Sequence, residues 1–199
     1  MGCSPRVLHV NDETRDGPPR GLLIAAVVVA VGAIVGILVF AALRQSPVTQ
    51  PPLPIVGVPA PQADSTDCRT LTDSLPDQLG DYHRAQAADP APAGAAAWRP
   101  ADDGDPVILR CGVERPDEFV VGVPLQVVDQ VQWFRVGEGG VGDAGAGEDD
   151  GRSTWFAVDR AVYIALTLPQ GAGPTPIQEI SDLIAEKLPA RPVDPAPVG

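Results

Sequence analysis

The longest apolar stretch of the chain, GLLIAAVVVAVGAIVGILVFAAL over Gly21 to Leu43, contains no charge and no strongly polar side chain. As a helix rising about 1.5 Å per residue it slightly exceeds a bilayer core of about 30 Å, which predicts one transmembrane helix over 21–43. A cleaved secretory signal fits less well. Its apolar core runs to about 7 to 15 residues and ends in a small-x-small site, whereas here Phe40 precedes Ala42 and Leu43 follows Ala41.

Beyond residue 64 the pattern becomes that of a folded domain spanning 65–188. Asp67 is placed to cap a helix over Cys68 to Leu79, with Leu71, Leu75 and Leu79 on one stripe and Pro76 bending or shortening it. From Val107 the period changes to two. Val107, Leu109 and Cys111 alternate with Ile108 and Arg110, Phe119 to Val121 form a short apolar run, and Val131, Trp133 and Arg135 alternate with Gln132, Phe134 and Val136. Thr154–Val158 and Val162–Leu168 flank Asp159-Arg160-Ala161 as a hairpin. Thr175-Pro176-Ile177-Gln178 reads as an N-cap, an N1 proline and a capping-box glutamine opening a helix over Pro176 to Leu188. The expected class is α+β: a small antiparallel sheet with helices at both ends of the domain, preceded by the transmembrane helix.

Composition fills in the rest. Prolines 47, 51, 52, 54, 59 and 61 predict a semi-rigid extended stalk over 44–64, and Pro192, Pro195 and Pro197 predict a disordered tail over 189–199. The net charge of -12 divides unevenly about the apolar run. Before Gly21, Arg6, Arg15 and Arg20 balance Asp12, Glu13 and Asp16, whereas beyond Arg44 twenty-three acids face ten bases. So acidic a surface repels nucleic acid and anionic headgroups, so no nucleic-acid partner is expected. Arg6, Arg15 and Arg20 precede the apolar run, and only Arg44 follows it closely before Arg69. The positive-inside rule therefore keeps a disordered tail over 1–20 in the cytoplasm and the domain outside. Cys3 lies in that tail, in an MGCSPR start that lacks the sixth-position Ser or Thr of a myristoylation signal. Gly32 and Gly36 form a small-xxx-small pair that would let a second helix pack closely.

Candidate chemistry is sparse. Cys68 and Cys111 are the two cysteines on the exterior side, where thiols oxidise, and are expected to form a disulfide. Gly137-Glu138-Gly139-Gly140-Val141-Gly142 matches a dinucleotide fingerprint in form only, because Asp143, Glu148, Asp149 and Asp150 follow where a phosphate-binding helix should open. Asp102, Asp103 and Asp105 offer oxygens, but no glutamate completes a calcium loop. His83 has no accompanying nucleophile signature. No catalytic, cofactor-binding or metal-binding residue is assigned, and no cofactor is expected. Of the three tryptophans Trp98, in a Pro- and Ala-rich stretch, is the candidate for partner contact.

The order Cys68, Leu71, Leu75-Pro76, Ala97-Trp98, Leu109-Arg110-Cys111-Gly112-Val113, Trp133-Phe134 and Val162-Tyr163 running to Pro169 resembles the actinobacterial domain of unknown function numbered 3515. The resemblance covers about Asp64 to Leu188 and implies an envelope location in a high-GC Gram-positive bacterium. It supplies no catalytic residue. The leading expectation is an integral plasma-membrane protein whose non-catalytic outer domain binds an envelope protein or cell-wall partner. The alternatives are an envelope enzyme or small-ligand receptor using Asp102, Asp103 and Asp105, and a structural accessory of a membrane complex packed through Gly32 and Gly36.

Overall fold

The computed structural model describes residues 20–44, 51–102, 104–137 and 151–198. The chain divides into two units, Met1–Thr49 and Gln50–Gly199. The first unit contributes α1 (Arg20–Arg44), 25 residues of helix. Among the described residues no helix is long and apolar enough to cross a membrane. The expected cytoplasmic tail lies outside the described residues.

In the second unit, α2 (Thr66–Asp73) leads into β1 (Gln78–Leu79), β2 (Tyr82–Ala85), β3 (Ala95–Pro100) and β4 (Val107–Val113). Then come β5 (Gln126–Val128), β6 (Val131–Gly137), β7 (Ser153–Ala157), β8 (Tyr163–Leu168) and α3 (Thr175–Lys187). The eight strands form one sheet in the order β1-β2-β3-β4-β8-β7-β6-β5, with every neighbouring pair antiparallel. Two four-stranded meanders thus meet edge to edge, Arg110 of β4 standing opposite Ala165 of β8. This is the expected α+β class, with a helix at each end of the sequence of strands.

Both helices cover one sheet face. Val107, Leu109 and Cys111 of β4, Trp133 of β6 and Ile164 and Leu166 of β8 bury there against Leu71 of α2 and Ile177, Ile180 and Ile184 of α3. Trp133 Nε1 donates to Ser181 Oγ at 2.9 Å, and Ser181 in turn donates to the Ile177 carbonyl, so the indole fixes α3 without leaving a buried donor unpaired. The Cys68–Cys111 disulfide forms as the sequence predicts, with Cα atoms 5.5 Å apart, joining α2 to β4.

Local details differ from expectation. Ser65, not Asp67, caps α2, its Oγ accepting from Cys68 N at 3.2 Å, and the helix ends at Asp73, placing Leu79 in β1. Pro174 precedes α3 with no side-chain cap bond, so the capping box built on Thr175 and Gln178 does not form. Trp98 is fully buried in β3, its Nε1 donating to Pro76 O at 2.9 Å, which removes it as a partner contact.

The largest departures are the flanks. The expected stalk, in its described part 51–64, lies along the second sheet face. Leu53 and Ile55 bury against Ala97, and Leu53 N donates to Gln86 O while Ala88 N donates to Leu53 O. Gln62 N bonds Gly112 O at the β4 bulge. Only glycine fits there: its φ is +79°, and a Cβ would stand 2.3 Å from Ala63 N. The tail expected to be disordered is likewise fixed, Val121 N donating to Ala196 O and Ala196 N to Phe119 O, while Val193 packs on the cluster of Phe119, Phe134 and Val158. The physical reason is shared: the sheet is apolar on both faces, and helices cover only one. Extended proline-rich chain covers much of the other, because it presents side chains without needing a ladder of its own.

The disulfide closes a 43-residue separation, so replacing both cysteines by alanine should lower unfolding free energy by about 4 kcal/mol on the chain-entropy relation, measured by denaturant titration.

Candidate functional site

Between the two flanking segments the second face keeps an uncovered groove of about 490 Å³. Its floor follows from strand alternation. Arg110 of β4 points away from the helices because Leu109 and Cys111 point toward them, and the same phase brings up Ala165 and Thr167 of β8, Thr154 and Phe156 of β7 and Val136 of β6. Val58 and Pro59 form one wall. Glu114, Pro116 and Glu118, beyond the end of β4, form another, and Arg152 stands just before β7.

The polar groups are arranged rather than scattered. Arg110 Nη2 donates to Val56 O at 3.2 Å, while its buried Nε has no partner. Burial, and after it the nearby positive charge of Arg152, lowers the Arg110 pKa from the ordinary guanidinium value. Arg152 also meets Asp105 at 3.4 Å in an exposed pair. Thr154 and Thr167 face each other across the strands with hydroxyl oxygens 3.1 Å apart. One hydroxyl hydrogen serves that bond and the other is left to donate elsewhere. Along the groove Arg152 lies at one end, Val136 and the two threonines come next, Arg110 with Ala165 and Phe156 follows at the adjacent level of the sheet, and Glu114 lies beyond the end of β4.

The acids singled out in the sequence do not assemble into comparable machinery. Asp102 and Asp105 line an open cleft with Asp81 and Tyr82, and Asp103 lies outside the described residues. Among the described residues no group of three or more His, Cys, Asp or Glu could hold a metal ion. His83 is exposed on β2. Of the glycine-rich motif only Gly137 is described, at the end of β6; the remainder lies outside the described residues. A Cβ at Gly32 or Gly36 would meet nothing within 4 Å.

A buried ion pair occupies the hairpin turn that the sequence presents as a simple connection. Arg160 Nη1 lies 2.9 Å from Asp159 Oδ1 and also donates to Asp159 O; Nη2 donates to Gln130 O, and Asp159 Oδ2 accepts from Gln132 N. The pair holds the β5–β6 turn, in which Asp129 and Gln130 both adopt positive φ. Its hydrogen bonds to the backbone of Asp159, Gln130 and Gln132 make it a structural tie between the two turns.

Arg110, Thr154 and Thr167 were not singled out as site residues from the sequence. The available signal was phase: each sits on the side of its strand opposite the buried leucines and isoleucines, which in a lone strand reads as solvent.

The two tyrosines of the chain flank these features, and both have raised pKa values. For Tyr82 burial acts first, then Asp102, Asp81 and Asp105; for Tyr163 burial acts first, Arg115 opposes it, and Asp194 reinforces it. Because the folded values lie above the unfolded value, the linked stability is present below about pH 10 and is lost as pH rises through the folded values. Absorbance titration of phenolate should therefore show both groups ionising at higher pH in the native protein than in denaturant.

No curated protein and no solved structure matches the chain. A family model does match, over residues 27–193, and the chain thus belongs to the family described as protein of unknown function (DUF3515).

Proposed function

We propose that this protein is a membrane-anchored, non-catalytic binding module whose outer domain takes a ligand or partner in the groove on the second sheet face. The observation that carries the reading is that groove. It is a pre-formed concavity of about 490 Å³ with an apolar floor and a few converging polar groups, the usual character of a binding site. It offers two arginines and two hydroxyls but no nucleophile with an adjacent base, which favours binding over catalysis.

The anchoring rests on α1. Its sequence from Gly21 to Leu43 is apolar on every side, and Ile24, Val28 and Val29 are exposed within its own unit, a surface that water would penalise and lipid would accept. Arginine placement directs the N-terminus to the cytoplasm and the domain to the exterior of the cell membrane. The Cys68–Cys111 disulfide suits that oxidising side. Gly32 and Gly36 would let α1 pack against a second helix, an accessory role compatible with binding in the groove.

With Cys68 and Cys111 joined, Cys3 is the remaining one of the three cysteines and serves as the orientation probe. A membrane-impermeant maleimide should leave intact cells unlabelled at this protein and react once the membrane is opened; labelling in intact cells would reverse the orientation.

For the binding role, a photo-crosslinking residue at Glu118, on the groove, should give a discrete adduct in intact cells, while the same residue at Asp182, exposed on α3, should not. Equal adducts at both positions, or none at Glu118, would remove the groove as the binding site.

A further inference from the structure

The strand register gives the groove floor two levels. Ile108, Thr167, Thr154 and Val136 stand side by side on one, and Arg110, Ala165, Phe156 and Phe134 on the next, two residues or about 6.6 Å along the strands at about 3.3 Å per residue. Arg152 precedes Thr154 by two residues and so stands on the other side of the threonine level. The threonine pair therefore lies between the two arginines. Both arginines line the same groove. Burial lowers the Arg110 pKa first and the positive charge of Arg152 second, so the two like charges are near enough to oppose each other.

The polar groups around the threonine level have donors to spare. Arg110 spends Nη2 on Val56 O at 3.2 Å, and its buried Nε has no acceptor. Arg152 meets Asp105 at 3.4 Å in an exposed pair that solvent screens. Thr154 and Thr167 use one hydroxyl hydrogen on each other, and the second is left over. An oxyanion seated over the threonines would accept from that hydroxyl and from a guanidinium on either side, and would relieve the repulsion between the arginines. The glutamates do not supply this charge. Glu114 lies past Arg110 on the side away from the threonines, Glu118 follows on the next loop, and among the described residues neither forms an ion pair with Arg110 or Arg152.

The groove holds more than such a head. A water takes roughly 30 Å³ of liquid volume, so an inorganic oxyanion fills only a minor part of the 490 Å³. The lining beside Arg110 is apolar, with Ala165 and Phe156 on the floor and Val58 and Pro59 on the wall, and Glu114 and Glu118 beyond it disfavour a second negative charge. Resting on the reading of the groove as a binding site, we propose that its ligand is an amphiphile with one oxyanion head, a phosphate monoester or a carboxylate, and an uncharged apolar body. The head lies over Thr154 and Thr167 between Arg110 and Arg152, and the body lies on Ala165 and Phe156 against Val58 and Pro59. A membrane lipid and a free organic acid share that chemistry.

The test uses the full chain in dodecyl maltoside micelles, whose heads carry no charge, titrated calorimetrically with hexyl phosphate, with inorganic phosphate and with hexanol. Hexyl phosphate should bind saturably. Inorganic phosphate, which lacks the body, and hexanol, which lacks the head, should each bind at least tenfold more weakly. Arg110→Gln should weaken hexyl phosphate at least tenfold and leave hexanol unchanged. Arg152→Gln, which removes a partly exposed side chain paired with the exposed Asp105, provides the same comparison should Arg110→Gln unfold. Phosphatidic acid added to the micelles separates the two sources: displacement of hexyl phosphate marks a lipid and retention marks a free acid, and either upholds the proposed chemistry. Hexanol or inorganic phosphate binding as tightly as hexyl phosphate overturns the proposal, as does hexyl phosphate binding that both variants leave unchanged. An adduct at Glu118 in cells together with no saturable binding of hexyl phosphate would overturn this ligand class and leave the groove as a site. A blank in both experiments would sink both.

Discussion

A sheet with apolar side chains on both faces must be covered twice, and this chain possesses helices for one face only. The helical side is closed by α2 and α3 over Trp98, Trp133 and Ile164, with the Cys68–Cys111 bond fixing α2 to β4. On the other side Ala97 and Phe134 would face water if nothing crossed them. Leu53 and Ile55 cover the first and the Phe119 loop with Val193 the second. Burying apolar surface at about 25 cal/mol per Å² makes that cover worth several kcal/mol for a few large side chains, enough to order chain that composition alone would leave free. The groove is what remains between the two covers, and it takes its position from them.

How much of this was legible depends on which signal each part carries. The β7–β8 hairpin and the strands containing Val107, Leu109 and Cys111 or Val131 and Trp133 show period-two alternation with large residues, and they fold accordingly. The segment Ala95 to Ala97 offers only alanines before Trp98, so nothing local marks β3; pairing with β4 and burial make it a strand. Likewise Gln78–Leu79 and Gln126–Val128 are too short to show a period. The flanks misled for a different reason. Proline density describes what the backbone cannot do, whereas Leu53 and Ile55, two residues apart, already had the spacing of a segment with one buried side.

The candidate site was less legible than the fold because its residues look ordinary in isolation. A strand arginine in the polar phase, a threonine pair separated by thirteen positions and two glutamates after a strand become a groove only once β4 and β8 are neighbours. Conversely, the tryptophan that looked most available is sealed behind Pro76 and Arg84, whose guanidinium carbon stands 4.8 Å from the ring centroid. Surface character in sequence is a statement about neighbours along the chain, and the sheet supplies different ones.

The pairing of Ala196 with Phe119 and Val121 ties one groove wall to distant chain. The loop it secures carries Pro116 and Glu118 of the groove wall, yet it depends on a residue 77 positions beyond Phe119. The central β4–β8 contact also spans 55 positions between Arg110 and Ala165, so each meander can form early while their union waits on distant chain. Loss of the Ala196 contacts would leave the sheet paired while releasing the loop that carries the acidic rim, so the shape of the groove is set by a long-range contact and not by its own local chain.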